Sequence, residues 1–177
     1  LMYGSLAGVI SERAGVVNIG IEGTMNFGCF MGAAFAYISG SPWIGFLAAA
    51  AGGALVGCLH AMATVTFTGN HTVSGIAINL FCPALAMFLA KMVFDGATNT
   101  PPVPQTMPKP LNGLFETNSV PEMIFNQNAT TFIALLLVFG MWFWLYKTRS
   151  GLRIRAIGEH PKAADTLGIH VNKVKWM

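Results

Sequence analysis

The chain has 177 residues, 54% of them hydrophobic and 10% charged, with a formal net charge of +3. Soluble domains average about a quarter charged residues, and residues 23–90 contain no Asp, Glu, Lys or Arg at all, so the composition excludes an ordinary soluble domain. Seven of the ten basic residues, Lys147, Arg149, Arg153, Arg155, Lys162, Lys173 and Lys175, crowd one stretch. That stretch joins directly to apolar sequence and lacks aromatic base-stacking positions, which argues against nucleic acid as a partner.

Residues 1–10 are apolar but too short to span, and Ser11–Arg13 reads as a polar break. Residues 23–38 continue as a first full span, since a crossing helix needs about 20 mostly apolar residues. Gly40, Ser41 and Pro42 punctuate a tight turn. Trp43 then anchors a second span that runs to about Thr66. Thr68–His71 forms the next break, and residues 73–93 a third span. Residues 96–128 hold six of the nine prolines and read as an irregular external loop, with a short re-entrant piece at 120–126. Residues 129–146 form the last span, about 27 Å long at 1.5 Å per residue.

The predicted fold is therefore an all-α, polytopic transmembrane bundle forming one domain over residues 1–177. Lys and Arg in short loops mark the cytoplasmic side, so residues 147–175 form a cytoplasmic loop. Counting back from it puts the turn at 40–42 outside and the turn at 69–71 inside. Gly4/Gly8, Gly28/Gly32 and Gly53/Gly57 have GxxxG spacing, which lets helices approach closely in lipid. Cys29, Cys58 and Cys82 show no CxxC spacing and give neither a disulfide framework nor a zinc site. His60 and His71 share no metal-ligand spacing and read as bundle histidines, and no metal site is expected.

Four polar residues stand out in the apolar sequence. A carboxylate at membrane depth costs about 2.5–3.5 kcal/mol on insertion scales and faces a bundle interior or a wet cavity. Glu22 is such a group. With Asn18 and Asn26 at four-residue spacing it would make one helical stripe. The stripe lines a solute path, locks two helices together, or marks a helix end at the surface. Asn79, in the middle of the 73–93 span, either bonds across helices or donates to a solute hydroxyl.

The basic loop carries the most defined signal. Pro161 suits the first turn of a helix, residues 162–167 form helix adequately, and Gly168 suits the left-handed position just past its end. Glu159 precedes that helix, near its positive end. Two turns are too few to persist alone in water, so a partner or the rest of the chain must hold them. Ala163, Ala164 and Leu167 form a small apolar face suited to a groove. No nucleophile–base set and no GxxxxGK[ST] phosphate loop occurs, so no catalytic residue is assigned.

SERAGVVNIGIEGTM at 11–25, NHTVSGIAINL at 70–80 and GLRIRAIGEHPKAADTLGI at 151–169 resemble the permease subunit of bacterial ABC importers. The branch is that of simple-sugar, nucleoside and branched-chain amino-acid permeases, and the wording is most similar to the purine nucleoside permeases. The resemblance implies a multi-pass protein of the bacterial plasma (inner) membrane that imports nucleosides or related simple sugars by alternating access. It implies a second permease subunit, cytoplasmic ABC ATPase subunits and an external substrate-binding lipoprotein. ATP and Mg would be bound by the ATPase subunits, with no cofactor in this chain, which is itself not an enzyme. The segment from Gly158 and Glu159 through Pro161, Ala163, Ala164, Asp165 and Leu167 to Gly168 would be the coupling helix that docks on an ATPase. His160 replaces an expected Asn, a stronger N-cap, and His71 replaces a more usual Gln. A branched-chain amino-acid permease, or a secondary transporter or channel not driven by ATP, are the alternatives. The family permease is longer, so spans are expected to be missing at both ends.

Overall fold

Helices account for every regular element in a computed structural model that describes residues 1–97, 100–103, 107–110 and 127–176. In chain order they are α1 (Met2–Arg13), α2 (Ile21–Ser39), α3 (Pro42–Ala61), α4 (His71–Val93), α5 (Ala129–Lys147), α6 (Arg149–Glu159), α7 (Pro161–Thr166) and α8 (Val171–Lys175). A π-helical turn, Met62–Thr66, extends α3. Three stretches are long and apolar enough to cross a membrane: Pro42–Thr66, His71–Val93 and Ala129–Lys147. The expected first span is present as a 19-residue helix, but Glu22 and Asn26 make α2 the most polar of the long helices, and it does not join that group. The proline-rich stretch 96–128 falls mostly outside the described residues, and the expected re-entrant piece at 120–126 lies wholly outside them.

The centre of the bundle is α2 between α3 and α4. Phe27, Val56, Cys82 and Ala86 are buried there, with Phe30, Met31, Ile78, Leu85 and Leu89 packed around them. Between lipid-embedded helices the attraction comes from close packing rather than from expelled water. The backbones therefore meet where side chains are smallest. A Cβ on Gly45 would lie 2.6 Å from the Gly32 carbonyl oxygen, and one on Gly52 2.9 Å from Met31. The pair anticipated on α3 is the wrong one. A Cβ on Gly57 would meet nothing within 4 Å, and one on Gly53 only Thr24 at 3.9 Å.

Local signals explain most helix ends. Gly40, with φ of 67°, closes α2, and Pro42 opens α3. Asn70 caps α4 by accepting from the amides of Thr72 and Val73. Pro83 sits inside α4 without ending it, as membrane helices tolerate when neighbours cover the freed groups. Ser11–Arg13 is not a break: α1 runs through it and stops only at Ala14.

Contacts sort the turns into two ends. At one end α6 packs on the end of α1, and α8 packs on the π turn. The turn after α1, the turn before α4 and the basic helices thus share an end. At the other, Tyr37 at the end of α2 meets Phe94 at the end of α4, with ring centroids 5.5 Å apart. Tyr3 stacks edge-on against Phe46 and donates to the Thr130 carbonyl. The start of α1 therefore lies near the starts of α3 and α5.

Candidate functional site

Two places gather polar groups. The first is the connection between α1 and α2. Helix α1 ends in a Schellman motif, with the Gly15 amide donating to Glu12 O at 3.0 Å and the Val16 amide to Ser11 O at 2.9 Å. Gly15 supplies the left-handed turn, at φ of 72°. The chain then runs without helix to Gly20, where the Asn18 side chain accepts from the Gly20 amide at 3.0 Å. Because α2 starts at Ile21, Asn18 lies outside the helix, and the expected Asn18–Glu22–Asn26 stripe is not one helical face. Glu22 and Asn26 do sit one turn apart on α2, both exposed.

Asn79 reaches this connection from α4. Its Oδ1 accepts from the Gly23 amide at 2.7 Å, and its Nδ2 donates to Ile19 O at 2.9 Å. The first amides of a helix have no partner within it. An N-cap side chain normally satisfies the third, but the N-cap of α2 is Gly20, which has none. Asn79 does that task from another helix. The approach is close: a Cβ on Gly23 would lie 2.6 Å from Ile78 O, and one on Gly75 2.9 Å from the Gly20 nitrogen. Asn79 is thus brought onto the same segment as Asn18, while its amide is committed at both ends.

A second polar group forms around His60, a bundle histidine as expected, with partners that no sequence motif marks. Buried His60 on α3 lies 3.0 Å from Ser74 Oγ on α4, and Thr64 Oγ1 donates to His60 O at 2.8 Å. The bond ties the two helices beside the π turn. Its only signal was symmetry about the intervening turn, which places both residues near the same height in a helical hairpin. The two histidines recruit no third ligand, and no group of three or more His, Cys, Asp or Glu able to hold a metal occurs among the described residues.

The basic end is built on α6, a helix inside the stretch expected to be a loop. Gly151, Ile154 and Ile157 are buried at three-residue spacing, so one face lies against the bundle while Arg149, Leu152 and Arg153 face out. Thr148 caps it by accepting from the Gly151 amide at 3.2 Å. Arg155 lies over the Tyr146 ring, 4.9 Å from its centroid, an attraction between cation and ring face. Gly158 sits directly on the backbone of Arg13 and Gly15.

After His160 the chain enters α7 with Pro161 at its start and no side-chain cap. The Gly168 amide donates to Asp165 O at 2.9 Å and the Ile169 amide to Ala164 O at 3.1 Å, a second Schellman motif with Gly168 at φ of 80°. The anticipated apolar face divides. Ala164 is buried at 3% exposure, whereas Leu167 is 80% exposed and Ala163 and Asp165 also face out. Glu159 ends α6 and stands one residue before His160, the N-cap of α7.

An all-helical fold with three helices long and apolar enough to cross a bilayer defines a polytopic helical membrane protein. The chain belongs to the family described as branched-chain amino acid transport system / permease component, which matches it over residues 1–177. It is 40% identical to the guanosine ABC transporter permease protein NupQ of Bacillus subtilis (strain 168), covering 100% of this chain and 58% of that protein. It is 39% identical to the nucleoside ABC transporter permease protein NupC of Lactococcus lactis subsp. cremoris (strain MG1363), covering 99% and 57%. Identity to the probable branched-chain amino acid transport permease protein LivH of Methanocaldococcus jannaschii is 44% but takes in 26% of this chain and 15% of that protein. The chain thus spans a little over half the length of the nucleoside permeases it matches. No solved structure matches it significantly.

Proposed function

We propose that this chain forms part of the permease of an ATP-driven importer of nucleosides, working by alternating access in a bacterial plasma membrane. The observation that carries the reading is the end-to-end similarity to guanosine and nucleoside permeases, at 40% and 39% identity. The likeness to a branched-chain amino-acid permease covers only a quarter of the chain, so nucleoside is the preferred cargo. ATP and Mg belong to separate ATPase subunits, and a second permease subunit and an external binding lipoprotein complete the assembly. The ATPase grips the outward face of α7, where Leu167 stands clear beside Ala163 and Asp165. A helix this short projects a defined surface only because Pro161 starts it and the motif at Gly168 stops it.

The test is uptake of labelled guanosine, ribose and leucine by cells lacking, then regaining, the full-length gene, before and after ATP depletion. Guanosine uptake that returns with the gene and stops with ATP loss is expected. Restored leucine uptake alone would move the cargo to amino acids. Uptake that survives ATP depletion would make the protein a secondary transporter or channel.

A further inference from the structure

The geometry points to residues 15–20 as a strap that carries movement of the basic-end helices into α4, with Asn79 as the positioning residue that fastens its far end. This rests on the importer reading, in which α7 is displaced by a nucleotide-driven partner.

Three observations carry it. First, α6 meets the near end of the strap where the backbones of two glycines touch. A Cβ on Gly158 would collide with the Arg13 carbonyl oxygen and lie 3.2 Å from the Gly15 nitrogen, and one on Gly15 would lie 3.1 Å from the Gly158 Cα. No side chain stands between them to change rotamer and absorb a shift. Second, the strap has little slack. The Schellman bonds of Gly15 and Val16 fix its first residues, the Asn18–Gly20 bond folds its last ones, and α2 begins immediately after. Third, the far end is locked to α4 by both arms of the Asn79 amide, with Gly20 and Gly23 pressed against Gly75 and Ile78. The strap is close-packed at its two ends, where Gly15 meets Gly158 and Gly20 meets Gly75, and close-packed contacts transmit strain because they have no free volume to dissipate it. A displacement of α6 therefore changes the geometry at Asn79 or breaks its bonds. Glu22 and Asn26 begin α2 beside that point, so the polar start of α2 moves with it.

The experiment uses the full-length protein assembled with its ATPase and binding-protein partners in lipid vesicles, with labelled guanosine as the solute. Asn79→Ala removes both bonds, and Asn79→Asp keeps an acceptor for the Gly23 amide. In the alanine variant, ATP hydrolysis is expected to persist while guanosine moved per ATP falls about fivefold or more, the lower range of couplings between sites. The aspartate variant should recover part of the loss. The half-saturating guanosine concentration should stay unchanged in both. A raised half-saturating concentration would return Asn79 to direct solute contact and overturn the strap, as would an unaltered transport-to-ATP ratio. A measurement on the unmodified complex stands independently of either variant's folding. Hydrogen–deuterium exchange of peptides covering residues 14–24 should change when nucleotide is trapped, in step with peptides from α6 and α7. Changes confined to residues 60–70 would assign the route to α8 and the π turn and overturn the proposal. Absence of ATP-dependent uptake by the unmodified complex would overturn the importer reading, whereas normal uptake with a static strap overturns the strap alone.

Discussion

Gly45 and Gly57 occupy the same helix and should respond in opposite ways to one added methyl group. At Gly45 the new Cβ would press on Gly32 O and Ala36 Cβ, each 2.6 Å away. Relief requires α2 and α3 to separate, at a cost of about 1–3 kcal/mol for overpacking. Gly57→Ala meets nothing within 4 Å and gains up to about 1 kcal/mol of helix propensity. Thermal unfolding in detergent should show Gly45→Ala below the parent and Gly57→Ala at or above it. Equal melting temperatures would mean that α2 and α3 do not meet at Gly45. The sequence could not separate these glycines, because α3 is small on every side around Ala48–Ala51 and spacing alone does not say which face is covered. Asn79 was visible as an anomaly, but its role was not. Its partners, Ile19 and Gly23, lie 60 and 56 residues away, and no local pattern points to them.

At the scale of elements, helices with local start and stop signals were readable. Pro161 and Gly168 bracket α7 almost as anticipated, and Gly40–Pro42 separate α2 from α3. The elements that were missed lack such signals. Helix α6 begins with a Thr cap inside a basic run, so charge hid its three-residue apolar spacing. The gap between α1 and α2 runs through apolar Val16, Val17 and Ile19 and through Asn18, which the expected Asn18–Glu22–Asn26 stripe places on a helix, and only Gly15 marks the reversal. The division of the α7 surface leads to a paired prediction. Leu167→Asp changes an exposed side chain and should leave melting within about 0.5 kcal/mol of the parent, while reducing binding-protein-stimulated ATP hydrolysis in vesicles. Ala164→Arg places a cation at a site only 3% exposed and should lower the yield of folded protein, since an unpaired buried charge is among the strongly destabilising changes. Stimulation that survives Leu167→Asp would remove α7 from the coupling surface. Gly168→Ala tests the frame itself. A left-handed residue with a Cβ costs roughly 1–2 kcal/mol, so faster amide exchange at Ile169, whose N–H closes the motif, should accompany that substitution.

For the whole molecule, charge and packing give independent accounts of which turns share an end. Charge marks only the stretch from Lys147 to Lys175, because the turns at 40–42 and 68–71 carry no Asp, Glu, Lys or Arg. Packing marks the ends without charge: α6 rests on the turn after α1, α8 on the π turn, and Tyr37 meets Phe94 at the opposite end. Both place the turn before α4 with the basic helices and the end of α2 away from them. That agreement was open to sequence reasoning because three helices are long and predominantly apolar, so crossings could be counted. Ser39 and Asn172 are exposed and stand at opposite ends, and cysteine at either site makes the sidedness measurable. Exposed Cys29 and Cys58 must first be replaced by serine. In intact cells producing the full-length protein, a membrane-impermeant maleimide should label Ser39→Cys and spare Asn172→Cys, and permeabilisation should expose both. The reverse pattern would put α7 outside the cell, beyond reach of any nucleotide-driven partner, and the coupling surface and the strap would fall together. Labelling of both sites in intact cells would contradict the bundle itself, because two ends separated by α2, about 28 Å long at 1.5 Å per residue, cannot share one face of a bilayer.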